Sequence, residues 1–198
     1  MKKDDFSMVL AILACVLVSC TNVPAINKIE QESNAMSKEN GIRIFEFPKC
    51  KMVSSGYCKM DEDPFGKNGK MTLFENWWGE YDKKRTDRWF MRDFIMDGME
   101  KGIIWFYAVP DDAVIDCEYE VIDFEGGLYA SAVAILGNTD DESRIYGTIK
   151  EWVKNSDVFE LDERQGHYNL SHGINPHLEK VMGYSQLEIY VPIKLREK

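Results

Sequence analysis

Positive charge is in short supply in this chain: 24 Lys and Arg stand against 34 Asp and Glu, for a formal charge of −10. Without a basic excess there is little to neutralise a phosphate backbone, which argues against nucleic acid as a partner and favours neutral or cationic ones. Cysteine is scarce too. Five in 198 residues are too few for a disulfide scaffold, and Cys50, Cys58 and Cys117 lack metal-type pairing. They read as buried thiols with at most one disulfide. Gly126-Gly127 has no Lys-Ser/Thr after it and is better read as the start of a strand than as a phosphate loop. No Ser-His-Asp arrangement is visible. His167, His172 and His177 are spaced five and five, which matches neither one helical face nor one strand face. No metal and no cofactor is therefore expected. What is abundant is apolar material, 44% hydrophobic and 12% aromatic residues, enough for a real core and against wholesale disorder.

The first forty residues divide in two. Lys2 and Lys3 precede an apolar run of eleven residues, Met8 to Val18. That is too short to span a bilayer but suits the core of a signal peptide. Leu17-Val18-Ser19-Cys20 closes it and resembles the lipobox of bacterial lipoproteins, which implies a lipidated Cys20 at the mature N-terminus. Asp4 and Asp5 depart from that pattern, and a buried N-terminal helix or strand is the alternative. Residues 20–40 contain no aromatic and are rich in Asn, Ser, Glu and Lys, as a solvated tether would be. The expected organisation is a signal over 1–19, a lipidated Cys and tether over 20–40, and one folded domain over 41–198, anchored at the cell envelope. If the signal does not function, the protein is cytoplasmic.

From Gly41 the texture is that of strands. Ile42 to Met60 reads as a strand pair or one long bulged strand, and Asp61 to Gly69 as a turn cluster. The spacing of Phe74, Trp77/Trp78 and Tyr81 predicts a helix from Met71 to about Phe94. Strands follow at Ile103–Val109 and Cys117–Ile122. The order then repeats: a strand from Leu128 to Leu136, a helix opened by a capping box at Thr139-Asp-Asp-Glu142 and running to Asn155, an extended stretch over 158–172, and a last strand, Gln186–Ile193. The sharpest internal echo lies between Trp105-Phe-Tyr-Ala-Val-Pro110 and Leu187-Glu-Ile-Tyr-Val-Pro192. Two βαββ units, each with one apolar helix face, would join into a single antiparallel sheet with both helices on one face and a central groove, an α+β fold.

On the Met52-Val-Ser-Ser-Gly-Tyr57 strand, the WFYAVP strand, the Tyr146–Trp152 helix and the closing Gln186-Leu-Glu-Ile-Tyr-Val-Pro-Ile193, the chain resembles the gyrase-inhibitor-like small-molecule-binding family. This family also supplies the effector-binding domain of AraC- and MerR-type regulators. The resemblance covers about residues 41–196, and order and spacing carry it rather than any single motif. It implies a pocket for amphipathic, often cationic, aromatic compounds over an acidic floor, as in multidrug binding. Some stand-alone members hydrolyse reactive cyclopropane-containing compounds. Residues 1–40 show no helix-turn-helix pattern, so a transcriptional readout is not expected.

Glu188 is the one charge within Leu187–Ile193, and its burial would demand a partner, which a cationic ligand could supply. The alternative is a solvated outer face. Alternation puts Tyr190 beside Glu188, and Phe106 and Ala108 are their counterparts in the other half. Tyr107 faces away unless a bulge intervenes. Of the adjacent tryptophans one must leave the core face, and Trp78 is the candidate for the pocket rim. The primary expectation is binding of aromatic or cationic small molecules, with Glu188 as counter-charge. A hydrolase using Glu188 with the hydroxyl of Tyr107 or Tyr190 is the alternative, and an envelope interaction protein whose groove is filled by side chains is a third. Binding is favoured over hydrolysis because no second acidic or His partner can be placed beside Glu188.

Overall fold

The computed structural model describes residues 41–86, 93–99, 102–174 and 179–197. The signal and tether expected over 1–40, Cys20 among them, and His177 lie outside the described residues. The strands are β1 (Arg43–Phe47), β2 (Cys50–Ser54), β3 (Cys58–Lys59), β4 (Asp93–Met99), β5 (Gly102–Pro110), β6 (Glu120–Phe124), β7 (Gly127–Ile135), β8 (Phe159–Leu161), β9 (Leu170–Ile174) and β10 (Gln186–Leu195). The helices are α1 (Lys70–Asp82), α2 (Thr139–Asn155) and the single turn α3 (Glu179–Met182).

All ten strands belong to one antiparallel sheet ordered β1-β7-β10-β9-β4-β5-β2-β6, with β3 beside β5 and β8 beside β10. The predicted duplication is plain in that order. The unit β2-α1-β4-β5 lays its strands down as β4·β5·β2, and β7-α2-β9-β10 repeats this as β9·β10·β7. The two triplets meet where β4 pairs with β9, Ile95 opposite Ser171. The strand preceding each unit is exchanged: β1 pairs with β7 of the second unit, and β6 with β2 of the first. The two connections touch as they cross. Gly126 has φ +71°, and a Cβ there would lie 2.3 Å from the Phe47 carbonyl oxygen, so glycine is required at this point.

Alternation sorts the side chains between two faces. Leu187, Ile189, Val191 and Ile193 of β10, with Ala130, Ala132 and Ala134 of β7, bury against Ile145, Ile149 and Val153 of α2. Val53 and Tyr107 bury against Phe74 of α1, with Trp77, Trp78 and Trp105 around them. The opposite, inner face holds Phe47, Met52, Phe94, Phe106, Ala108, Tyr129, Leu170 and Tyr190, with no helical residue among its buried members. Both long helices therefore cover one face, as expected.

Two local expectations are corrected. The helix predicted to about Phe94 ends at Asp82, and Asp93–Met99 is strand β4, with Phe94 buried opposite Phe106. The tertiary need for a third strand in the first unit overrides the helical spacing of residues 83–94. At the start of α2 the cap is Asn138 rather than Thr139. Its side chain accepts from the Asp141 N–H at 3.1 Å, while the Glu142 carboxylate reaches back to the Gly137 N–H at 2.8 Å. This satisfies two of the otherwise unpaired N–H groups of the helix start and its approach.

Candidate functional site around Glu188

Strand β10 carries the chemistry because its two sides are so unequal. The odd residues are aliphatic and face α2, so Glu188 and Tyr190 must point to the inner face. Glu188 is 8% exposed, and burying a charged side chain costs free energy unless it is paired and hydrogen-bonded. Three donors meet it. Arg43 Nη2 and Ser131 Oγ each donate to Oε1 at 2.8 Å, and the Tyr190 hydroxyl donates to Oε2 at 2.9 Å. Strand register explains the convergence. Arg43 stands opposite Ser131 in the β1–β7 pair, and Ser131 opposite Tyr190 in the β7–β10 pair, forming one row across three strands. Glu188 lies two residues along β10, one pleat away on the same face.

Around this polar row the inner face is aromatic. The Tyr190 ring is met edge-on by Phe45, Phe47 and Phe94, with centroids at 6.0, 5.1 and 5.9 Å. The Arg43 guanidinium lies 5.5 Å from the Phe45 ring centre, a cation–π approach. Phe106 and Ala108 of β5 share the cluster with Tyr190, as the echo between the two halves predicts.

Tyr107 and Trp78 do not join it. Strand β5 has no bulge at this point, so Tyr107 faces α1 and stacks on Trp78 with centroids 4.3 Å apart and rings 2° from parallel. Trp78 is thus tied to the helix-covered face rather than to a rim beside Glu188, with the Arg85 guanidinium over its outer side at 5.2 Å. Sequence reasoning passed over three residues that the sheet brings to Glu188: Arg43, Ser131 and His172. His172 sits directly opposite Glu188 in the β9–β10 register, near the Phe94 ring at 6.4 Å between centroids. The expectation that no His could stand beside Glu188 is corrected by that register. Alternation already put Arg43 on the side of Phe45 and Phe47. What a single sequence lacks is the pairing of β1 with β7, more than eighty residues apart.

A second buried carboxylate, Asp162, is 2% exposed and held by Arg164 at 2.8 and 2.6 Å, with His167 Nε2 at 3.4 Å. The Arg164 hydrogen bonds hold its carboxyl below the usual range. Two clefts lined by described residues lie nearby. One, of about 530 Å³, has Lys154, Arg164, Lys194 and Arg196 on its walls, and one of about 130 Å³ lies over Tyr146, Asp162 and His167. Glu188 lines neither; its carboxylate is covered by Arg43. Among the described residues no three His, Cys, Asp or Glu side chains converge as a metal site. Cys50, Cys58 and Cys117 are free thiols, with burial pushing Cys50 up to about 12.

No family model matches the chain, and no curated sequence matches it. Solved structures do. A hydrolase from Listeria innocua matches at 10% identity and a TM-score of 0.52, over 80% of this chain and 98% of that one. An EcmrR–DNA complex matches at 11% identity and a TM-score of 0.52, over 95% of this chain and 72% of that one. SAV2435 bound to tetraphenylphosphonium matches at 11% identity and a TM-score of 0.42, over 77% of this chain and 93% of that one. At such identities the first two likenesses show a shared fold.

Proposed function

We propose that this protein binds amphipathic aromatic small molecules, cationic ones above all, on the inner sheet face around Glu188. One observation carries the reading: a carboxylate 8% exposed, set among phenylalanine and tyrosine rings, whose one charged donor among the described residues is Arg43, on the end strand of the sheet. A flat cation placed there would gain the ion pair in a low-dielectric setting and aromatic contacts of about 0.5–2 kcal/mol each. The fold is shared with the EcmrR–DNA complex, and an effector-binding use of it is what the family resemblance of the sequence implies. Anchoring at the envelope through Cys20 belongs to the same proposal, and intact-mass measurement of protein from membranes would detect the added acyl chains. A thermal-shift screen of the full-length chain against aromatic cations tests the binding itself. Compounds of this class should raise the melting temperature, because they bind only the folded state. A screen in which no such compound does so would leave the inner face as plain core, the interaction-protein reading.

Hydrolysis on the same face is the second reading, favoured by one observation. Glu188 is flanked by a tyrosine hydroxyl and, across the strand pair, by His172. A carboxylate, a hydroxyl and an imidazole together could move a proton and hold a developing charge. Mass detection of product after incubation with reactive cyclopropane compounds separates the two. Turnover abolished by Glu188→Gln would favour the enzyme; binding without consumption favours the first reading.

A further inference from the structure

Glu188 is hydrogen-bonded from within the chain by three donors unlike one another. Ser131 is 0% exposed and Tyr190 7%, both fixed in the sheet. Arg43 alone is charged and reaches solvent, with a side chain 49% exposed that crosses the Phe45 ring to Oε1. It stands on β1, the end strand of the sheet beside β7, so its guanidinium can swing outward into water without moving the backbone. Ser131 and Tyr190 reach the carboxylate by hydrogen bonds that do not pass through Arg43.

Resting on the binding reading above, we propose that Arg43 is the specificity-determining residue of this site: its guanidinium is the resident counter-ion of Glu188, and a cationic ligand binds by exchange with it. Exchange conserves charge. One positive group leaves as one enters, so a monocation restores a neutral site, a dication leaves a surplus, and an anion would face an uncovered carboxylate. Exchange also selects within the monocations. A guanidinium is weakly hydrated and planar, and what replaces it must shed its own water. A flat, delocalised aromatic cation does so more readily than a compact ammonium, and it takes over the Phe45 face that Arg43 vacates. Tethered to the fold, Arg43 competes at an effective concentration in the millimolar range, so the wild-type site is weaker than its contacts alone would make it.

The test is a titration of the full-length chain with a rhodamine ester, a delocalised monocation, followed by fluorescence anisotropy. Wild type, Arg43→Gln, Glu188→Gln and the double variant are compared as a cycle. Arg43→Gln should tighten binding about tenfold, Glu188→Gln should weaken it about tenfold, and the gain from Arg43→Gln should vanish when Glu188 is also changed. Binding seen with Arg43→Gln alone would support the exchange equally. Arg43→Gln binding no better than wild type, while Glu188→Gln still weakens, would overturn the exchange and leave the binding reading standing. Binding by no variant, or affinity indifferent to Glu188→Gln in both backgrounds, would overturn both. If Arg43→Gln does not fold, the guanidinium resonances of wild-type Arg43 serve instead. They should move to a solvent-exchanging position as the dye saturates the site, and resonances unmoved at saturation would overturn the exchange.

Discussion

Asp162 and Glu188 are both buried carboxylates paired with arginine, and the difference between them separates structure from function. Asp162 is bound in both oxygens by Arg164, two residues away, in a local clasp between β8 and β9. Glu188 draws its arginine from 145 residues away, across the sheet. The local clasp is a stability device with a defined pH signature. Because the folded-state pKa of Asp162 is depressed by Arg164, its contribution is fully present above the unfolded carboxylate value of about 3.9 and is lost as pH falls through the folded value. Asp162→Asn should cost about 1.5–3 kcal/mol at pH 7. It should also flatten the acid limb of a stability–pH profile below about pH 4, both read by urea unfolding. An unchanged acid limb would remove Asp162 from that role.

At the scale of elements, β10 was legible and α1 only in part. Strict alternation in Leu187-Glu-Ile-Tyr-Val-Pro puts Glu188 and Tyr190 on one side whatever the fold, and its echo in β5 brings Phe106 and Ala108 to the same side. The end of α1 was not legible, because Arg88 to Phe94 continues a helical rhythm of charged and aromatic residues. What decides there is the place Phe94 finds opposite Phe106. Arg43, Ser131 and His172 escaped for a related reason. Their alternation is visible, but the register that aligns β1, β7, β9 and β10 is a long-range property of the sheet. Trp78 shows the same limit in reverse: an aromatic surplus on α1 looked like a rim and is the partner of Tyr107. That helix-side cluster has its own test. Phe74 is fully buried and touches the Trp77, Tyr107 and Tyr119 rings. Phe74→Ala should destabilise by about 3–5 kcal/mol in denaturant unfolding. A loss under 1 kcal/mol would show that α1 is not held by this contact.

The described fold is a duplication closed by exchange: the strand preceding each unit pairs with the other unit, β1 with β7 and β6 with β2, and the two connections meet where Gly126 lies against the Phe47 carbonyl. Gly126→Ala should lose about 1–2 kcal/mol from the left-handed backbone alone and more from overlap with the Phe47 carbonyl, visible as a large drop in melting temperature. A melting temperature within a degree or two of wild type would contradict the account of the crossing. Charge also takes on a sharper meaning at this scale. Among the described residues Asp162 and Glu188 are the buried carboxylates, the first paired with Arg164 and the second with Arg43, whereas charges at the surface are screened by salt.

Whether the face around Glu188 holds aromatic cations through that carboxylate is read by calorimetric titration of wild type and Glu188→Gln with one lipophilic aromatic cation at physiological salt. Wild type should bind saturably and one-to-one, and the substitution should weaken binding about tenfold, or about 1.4 kcal/mol. Equal affinity in the two proteins would contradict it.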